Sequence, residues 1–269
     1  MKVFLALVVW GVSQLEAGVI RLQGSDTVGA KLVPQLCEFY RTQHRDVTFE
    51  IAAEGTFGAL PDFLAGKTDI LMANRLLKPE EMERFTKAGI VLKRADAVAD
   101  VLVIAVNAEN PVRDLTLAQV EGLFTGDHAN WKAVGGRDAA VSVYIRNTAS
   151  GTYKDFRQMA MSGRDYAEGA KKLGGGDPPS MTVPKDVNGI GYVGLAYAGA
   201  KGLGVVRIDG VDPLGKEVAR YPFLRRCYYY YREDARAEVV EFVKWASASE
   251  EAKKMAVKLG FLVWEEETL

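Results

Sequence analysis

An α/β fold with a largely parallel sheet is what these 269 residues predict, and three observations carry that expectation. Three times in the first third of the chain a short apolar run ends in a small, polar loop that opens a helical pattern. A strongly apolar strand, Val101–Val106, follows. Later the alternating run Val141–Ile145 passes through Arg146-Asn147-Thr148-Ala149-Ser150-Gly151-Thr152 into a further helical pattern, Tyr153–Ala160.

In chain order, Val19-Ile20-Arg21-Leu22 reads as the first strand, ending at Gly24-Ser25-Asp26-Thr27. The helix behind it places Leu32, Leu36, Phe39 and Tyr40 on one face. A second strand, Val47–Ala53, ends at Glu54-Gly55-Thr56-Phe57-Gly58 and opens the helical segment Ala59–Ala65. The third, Asp69–Met72, ends at Ala73-Asn74-Arg75, and Pro79-Glu80-Glu81 starts a helix, since proline lacks only a donor that the first turn leaves unpaired. Beyond Val101–Val106, Leu115–Phe124 is a helix, 125–136 a turn-rich connection and 167–179 a surface loop. Gly191-Tyr192-Val193 enters a strand, with a short helix at 195–200. Leu224–Arg232, with tyrosines at 228–231, reads as a strand buried between layers. Two helices, 235–247 and 250–259, precede Gly260-Phe261.

Composition narrows the function classes. A net charge of −1 gives no global attraction to nucleic acid or anionic membranes, so no nucleic-acid partner is expected and any anion site is local. Two cysteines, Cys37 and Cys227, and two histidines, His44 and His128, make no metal-ligand cluster. The thiols read either as one disulfide or as two buried free groups. The Gly189/Gly191 pair lacks the Gly-Lys-Ser/Thr tail of a nucleotide loop. No metal, cofactor or catalytic residue is expected. At the N-terminus Lys2, the apolar run Val3–Val12 and Ala17 have the shape of a secretory signal over residues 1–17, cleaved near Ala17; a buried first strand is the other reading.

Arg146–Phe156 is the most informative stretch. A helix start leaves several backbone N–H groups unpaired at the positive end of its dipole, a ready place for an anion. Ser150 and Thr152 add hydroxyls, Gly151 admits close approach, and Arg146 offers a bidentate fork. Taken alone, Ser150 is a helix cap and Arg146 half of an ion pair. Ser25 and Thr27, Thr56 and Asn74 stand in three more loops at strand ends, where ligands of such sheets collect. Together these loops argue for an anion clamp better than any one of them alone.

The same residues resemble a known family over nearly all of the chain: the phosphate-binding proteins of bacterial ABC-type phosphate uptake, of the type II periplasmic binding-protein fold. Leu123-Phe124-Thr125-Gly126 with Asn130-Trp131 and Val134-Gly135-Gly136, and Arg146…Ser150-Gly151-Thr152…Phe156, carry the match most specifically. Gly24–Thr27, Glu54–Gly58, Gly189–Tyr192 and Gly260-Phe261 fit as well. The resemblance implies two lobes, residues 18–99 with 225–269 and residues 100–224, joined by crossover strands near Val101–Val106 and Cys227–Tyr231. It implies phosphate held by Ser25, Thr27, Thr56, Asn74, Arg75, Arg146, Ser150, Gly151 and Thr152, and a monomeric periplasmic protein serving a membrane ABC permease. One departure bears on selectivity. Asn74-Arg75 stands where the family commonly has Ser-Asp, or Ser-Arg in some branches, so Asp26 inherits the acceptor role and Arg75 contacts the ligand or pairs outside the cleft. The alternatives are another oxyanion (sulfate, molybdate, tungstate), a hydrolase using Ser150 as nucleophile, and a secreted adhesion or regulatory module that kept the fold.

Overall fold

The computed structural model describes residues 18–148, 150–174 and 179–263. The signal-like segment 1–17 lies outside them. The elements in order are β1 (Gly18–Gly24), α1 (Asp26–Gly29), α2 (Leu32–Gln43), β2 (Val47–Ala52), α3 (Thr56–Leu64), β3 (Ile70–Ala73), α4 (Pro79–Lys87) and β4 (Leu92–Asn107). Then come β5 (Asp114–Leu115), α5 (Leu117–Thr125), β6 (Ser142–Arg146), α6 (Gly151–Met161), β7 (Lys171–Leu173), α7 (Pro179–Thr182) and β8 (Gly189–Gly194). β9 (Leu203–Val205), β10 (Arg207–Ile208), β11 (Leu224–Arg232), α8 (Ala237–Ala248) and α9 (Glu250–Lys258) complete the described chain.

Strand order is β2-β1-β3-β11-β4-β8-β6-β7, with β9 on β4. β1 runs parallel to β2 and β3, and β6 parallel to β7 and β8, with helices in the connections between them. The long strands β4 and β11 join these two parallel groups by running antiparallel to each other, Leu92–Val101 against Arg232–Leu224. Past Val101, β4 leaves β11 and pairs with β8 and β9. Between the pairs Arg226–Ala99 and Tyr228–Asp96 the register shifts, so that Ala97 and Val98 face the single Cys227. Such a bulge bends and twists a ladder.

The hydrophobic cores divide on either side of that crossing. One is built from Val101–Val106, Phe124, Trp131, Ile145, Phe156, Tyr192 and Phe223. A second joins Ile20, Leu22, Leu36, Tyr40, Val98, Cys227, Tyr229 and Phe242, with a third, around Phe63, Phe85, Tyr228 and Tyr230, on the other face of the same strands. The architecture is the two-lobed α/β fold that the motifs imply.

Most expected elements stand where the spacing puts them, and four differences have physical reasons. The helix after Thr27 is interrupted at Ala30-Lys31, leaving a four-residue turn ahead of α2. Val101–Val106 is the far half of a 16-residue strand whose near half, Leu92–Asp96, is largely exposed and charged and so shows no apolar signal. The loop expected over 167–179 contains β7, two of whose three residues are lysines; it pairs with β6, and charge on such a strand discourages pairing with another chain. The short helix at 195–200 is one 3₁₀ turn, Leu195–Tyr197. Cys37 and Cys227 are both free and buried in one core; burial raises both thiol pKa values well above the ordinary range. No helix among the described residues is long and apolar enough to cross a membrane.

Candidate functional site

A cleft of about 380 Å³ opens where the ends of the two parallel strand groups face each other, and Asp26, Thr27, Arg146 and Thr152 stand on its wall. Local geometry explains each position. Gly24 has φ 134°, and a Cβ there would stand 2.1 Å from the Met72 carbonyl oxygen, so only glycine lets β1 turn so close to β3. That turn delivers Ser25, whose hydroxyl accepts from the Thr27 N–H at 3.2 Å and caps α1. Asp26 and Thr27 then project into the cleft. On the opposite side β6 ends at Arg146, whose N–H donates to the Tyr192 hydroxyl at 3.1 Å. α6 starts at Gly151, with Ser150 at the cap position but making no side-chain cap.

What these residues leave unsatisfied is the informative part. Among the described residues, six buried side-chain atoms have no hydrogen-bond partner, and four of them are Asp26 Oδ1, Thr27 Oγ1, Arg146 Nε and Ser150 Oγ. Leaving a buried polar group unpaired costs about 1–3 kcal/mol, so four at one place mark a site built for something to pair with. They belong together: a Cβ on Gly151 would stand 3.9 Å from Asp26 Oδ1, and Arg146 Nη2 lies 4.0 Å from Asp26 Oδ2. A guanidinium and the open start of an 11-residue helix stand near a single carboxylate, with the Thr27 and Ser150 hydroxyls in the two loops that carry them. Chemically the arrangement can strip water from an anion and replace it with fixed donors, while Asp26 offers an acceptor to a proton the anion carries.

The other expected residues are placed differently. Thr56 donates to Asn74 Oδ1 at 2.9 Å and accepts from the Asn74 N–H at 3.3 Å. The Asn74 side-chain amide donates to Asp155 on α6. Ser25 serves as a cap. Arg75 turns to Glu81, Nη1 and Nη2 each reaching a carboxylate oxygen at 2.7 and 2.8 Å. The pair sits beside α4, where Glu81 is buried. Burial alone would raise the Glu81 pKa, but hydrogen bonds from Arg75 and the Lys78 N–H outweigh it and hold the carboxyl below its ordinary value.

The sequence reading missed a group that ties the cleft floor together. Arg225, on β11 and only 6% exposed, is flanked by Asp100 and Asp155: Nη2 donates to Asp100, Nη1 to Asp155 at 2.9 Å and to the Thr152 hydroxyl at 3.4 Å. Burial disfavours its charge, yet the two carboxylates more than offset this and hold it protonated. The Asp155 pKa is raised as well, but there burial is the leading cause and prevails, with Arg225 and Arg75 pulling against it. Signals were present: an arginine on the same strand face as Cys227 and Tyr229, and an aspartate one helical turn after Gly151.

A family model described as a PBP superfamily domain matches residues 11–250. A relative named phosphate-binding protein PstS, from Staphylococcus haemolyticus, is 27% identical over 266 aligned positions, covering 93% of this chain and 83% of its own. Among solved structures, a Clostridium perfringens protein assigned as a phosphate ABC transporter substrate-binding protein was determined with bound phosphate. It is 27% identical, covers 92% of this chain and all of its own, and superposes with a TM-score of 0.79. An ABC-type phosphate transport receptor from Vibrio cholerae is 25% identical over the same shares, with a TM-score of 0.78. Sequence motifs, two-lobed architecture and a family match over most of the length agree: the chain belongs to the PBP superfamily.

Proposed function

We propose that the protein captures inorganic phosphate in the interlobe cleft, outside the cytoplasm, as a monomer, and delivers it to an ABC-type permease. The observation that carries this is the set of unpaired buried donors, Thr27 Oγ1, Arg146 Nε and Ser150 Oγ, around one unpaired acceptor, Asp26 Oδ1. Phosphate at neutral pH is a partly protonated anion, and donors with a single acceptor are its complement. Gly151 and Thr152 contribute N–H groups at the start of α6. Thr56 and Asn74 act through their mutual hydrogen bonds and through Asp155. Ser25 shapes the loop, and Arg75 sits outside the contact set.

The lobes we assign as residues 18–99 with 225–269 and residues 100–224, supported by the way the cores divide. A binding rather than a catalytic role is favoured by Ser150, whose hydroxyl has no base hydrogen-bonded to it. His44 stacks on Tyr40 at 3.9 Å, and His128 lies where a Cβ on Gly122 would meet it.

The test is calorimetric titration with phosphate, sulfate, molybdate and tungstate. Phosphate binds, and Arg146→Ala weakens it at least tenfold, since a hydrogen bond to a charged group contributes about 1.5–3 kcal/mol. Unchanged affinity in the variant overturns the site; absence of heat from every anion overturns the function.

A further inference from the structure

The cleft continues past the clamp, and as a whole it is larger than the phosphate it is proposed to hold. Its volume is about 380 Å³, within the range of about 300–1,000 Å³ typical of organic ligands. An orthophosphate displaces on the order of three waters, about 90 Å³ at about 30 Å³ each. The surplus is not a wide-open mouth, because the two sides already meet: Asn74 donates to Asp155, Arg146 stands 4.0 Å from Asp26, and Lys31 Nζ lies 4.8 Å over the Tyr197 ring.

The walls of this chamber have a definite chemistry. Leu102, Val193, Gly194 and Tyr197 line it together with Asp100 and Arg225. Asp100 commits Oδ2 to Arg225, while its Oδ1 lies 3.4 Å from where a Cβ on Gly194 would stand. Arg225 Nε is buried and has no partner. An acceptor, a donor and an aromatic face suit a hydroxyl-bearing carbon chain, whose O–H groups donate and accept and whose C–H groups pack on a ring. A second negative charge suits it less. Asp26, Asp100 and the adjoining Asp155 already balance Lys31, Arg146 and Arg225, and the phosphoryl group adds its own charge.

We propose that the cleft takes phosphate monoesters of small polyols, with the phosphoryl group on the clamp and the hydroxylated carbons between Asp100, Arg225 and Tyr197. This rests on the phosphate reading above and extends it to a ligand class. Gly194 gives a clean test. Its φ of −65° accepts any L-residue, and a side chain there projects beside Asp100 Oδ1 and Tyr197 Cδ2, the latter 3.8 Å from the added Cβ.

Calorimetry on the wild type, Gly194→Leu and Tyr197→Ala uses orthophosphate, glycerol 3-phosphate and a hexose 6-phosphate as titrants. The wild type binds at least one ester within tenfold of orthophosphate. Gly194→Leu weakens that ester at least tenfold and shifts orthophosphate by less than about twofold. Tyr197→Ala supplies the same contrast should the leucine variant fail to fold. Binding of orthophosphate with no ester binding overturns this inference and leaves the phosphate reading standing. No binding of either overturns both. Ester binding undiminished in the variants overturns the chamber as its site.

Discussion

In the proposed phosphate site, anion choice turns on Asp26. Its Oδ1 is buried and unpaired, its Oδ2 is 4.0 Å from Arg146, and a carboxylate only accepts. Sulfate near neutral pH has no proton to offer and meets repulsion there, whereas a protonated phosphate donates. Asp26→Asn turns the acceptor into a group that also donates, so the phosphate-to-sulfate affinity ratio falls at least tenfold in competitive titration; an unchanged ratio would remove Asp26 from the selectivity role. Arg75 gives a second prediction through Glu81. The folded-state pKa of Glu81 is lowered, so the pair's contribution is fully present above the ordinary value of 4.5 and is lost as pH falls through the folded value. Thermal unfolding followed from pH 6 down to 3 loses less stability in Glu81→Gln than in the wild type across that window, and parallel profiles would refute the assignment. At this scale the candidate hydroxyls and Arg146 could be picked out because they stand in short loops at strand ends. Asp100, Asp155 and Arg225 were not, because each lies inside a regular element and only tertiary pairing, across up to 125 residues, brings them together.

At the scale of elements, the close approach of β1 to β3 is what aims the first clamp loop. Ser25 N–H donates to the Met72 carbonyl at 2.8 Å, and Gly55 N–H to the Gly24 carbonyl at 2.7 Å, so three loops are pinned at one point. Gly24→Ala drives a methyl into the Met72 carbonyl and strains a backbone at φ 134°. Overpacking costs about 1–3 kcal/mol and a strained φ a similar amount. The expected loss is above about 2 kcal/mol, a Tm drop of at least roughly 4 °C for a chain of this size, together with weaker phosphate binding. A Tm within about 1 °C of wild type would show that the turn relaxes freely. Strands β1, β2, β3 and β11 were readable because apolar and β-branched or aromatic residues fill them. The near half of β4 and all of β7 were not: Lys93, Arg94, Lys171 and Lys172 are exposed, and their strand geometry comes from partners far away in the chain.

For the whole molecule, β4 and β11 connect the two parallel strand groups, and Arg225 sits on β11 between carboxylates from two other elements. Asp100 stands on β4, Asp155 on α6, and Asp155 also receives Asn74 from the loop after β3. One buried cation therefore links the crossing strands to both walls of the cleft. Removing it leaves two carboxylates short of their countercharge, and breaking a buried pair in this way costs about 3–5 kcal/mol. Arg225→Ala should thus unfold well below the wild type. Ligand binding adds to stability independently of that linkage. Phosphate at a hundred times its Kd stabilises the folded state by about 2.7 kcal/mol, since it binds folded and not unfolded chain. At about 2–4 °C per kcal/mol the wild type gains roughly 5–11 °C. Arg146→Ala at the same phosphate concentration loses at least half of that gain, because a tenfold weaker site forfeits about 1.4 kcal/mol. Equal shifts in wild type and Arg146→Ala would place the stabilising anion elsewhere on the protein.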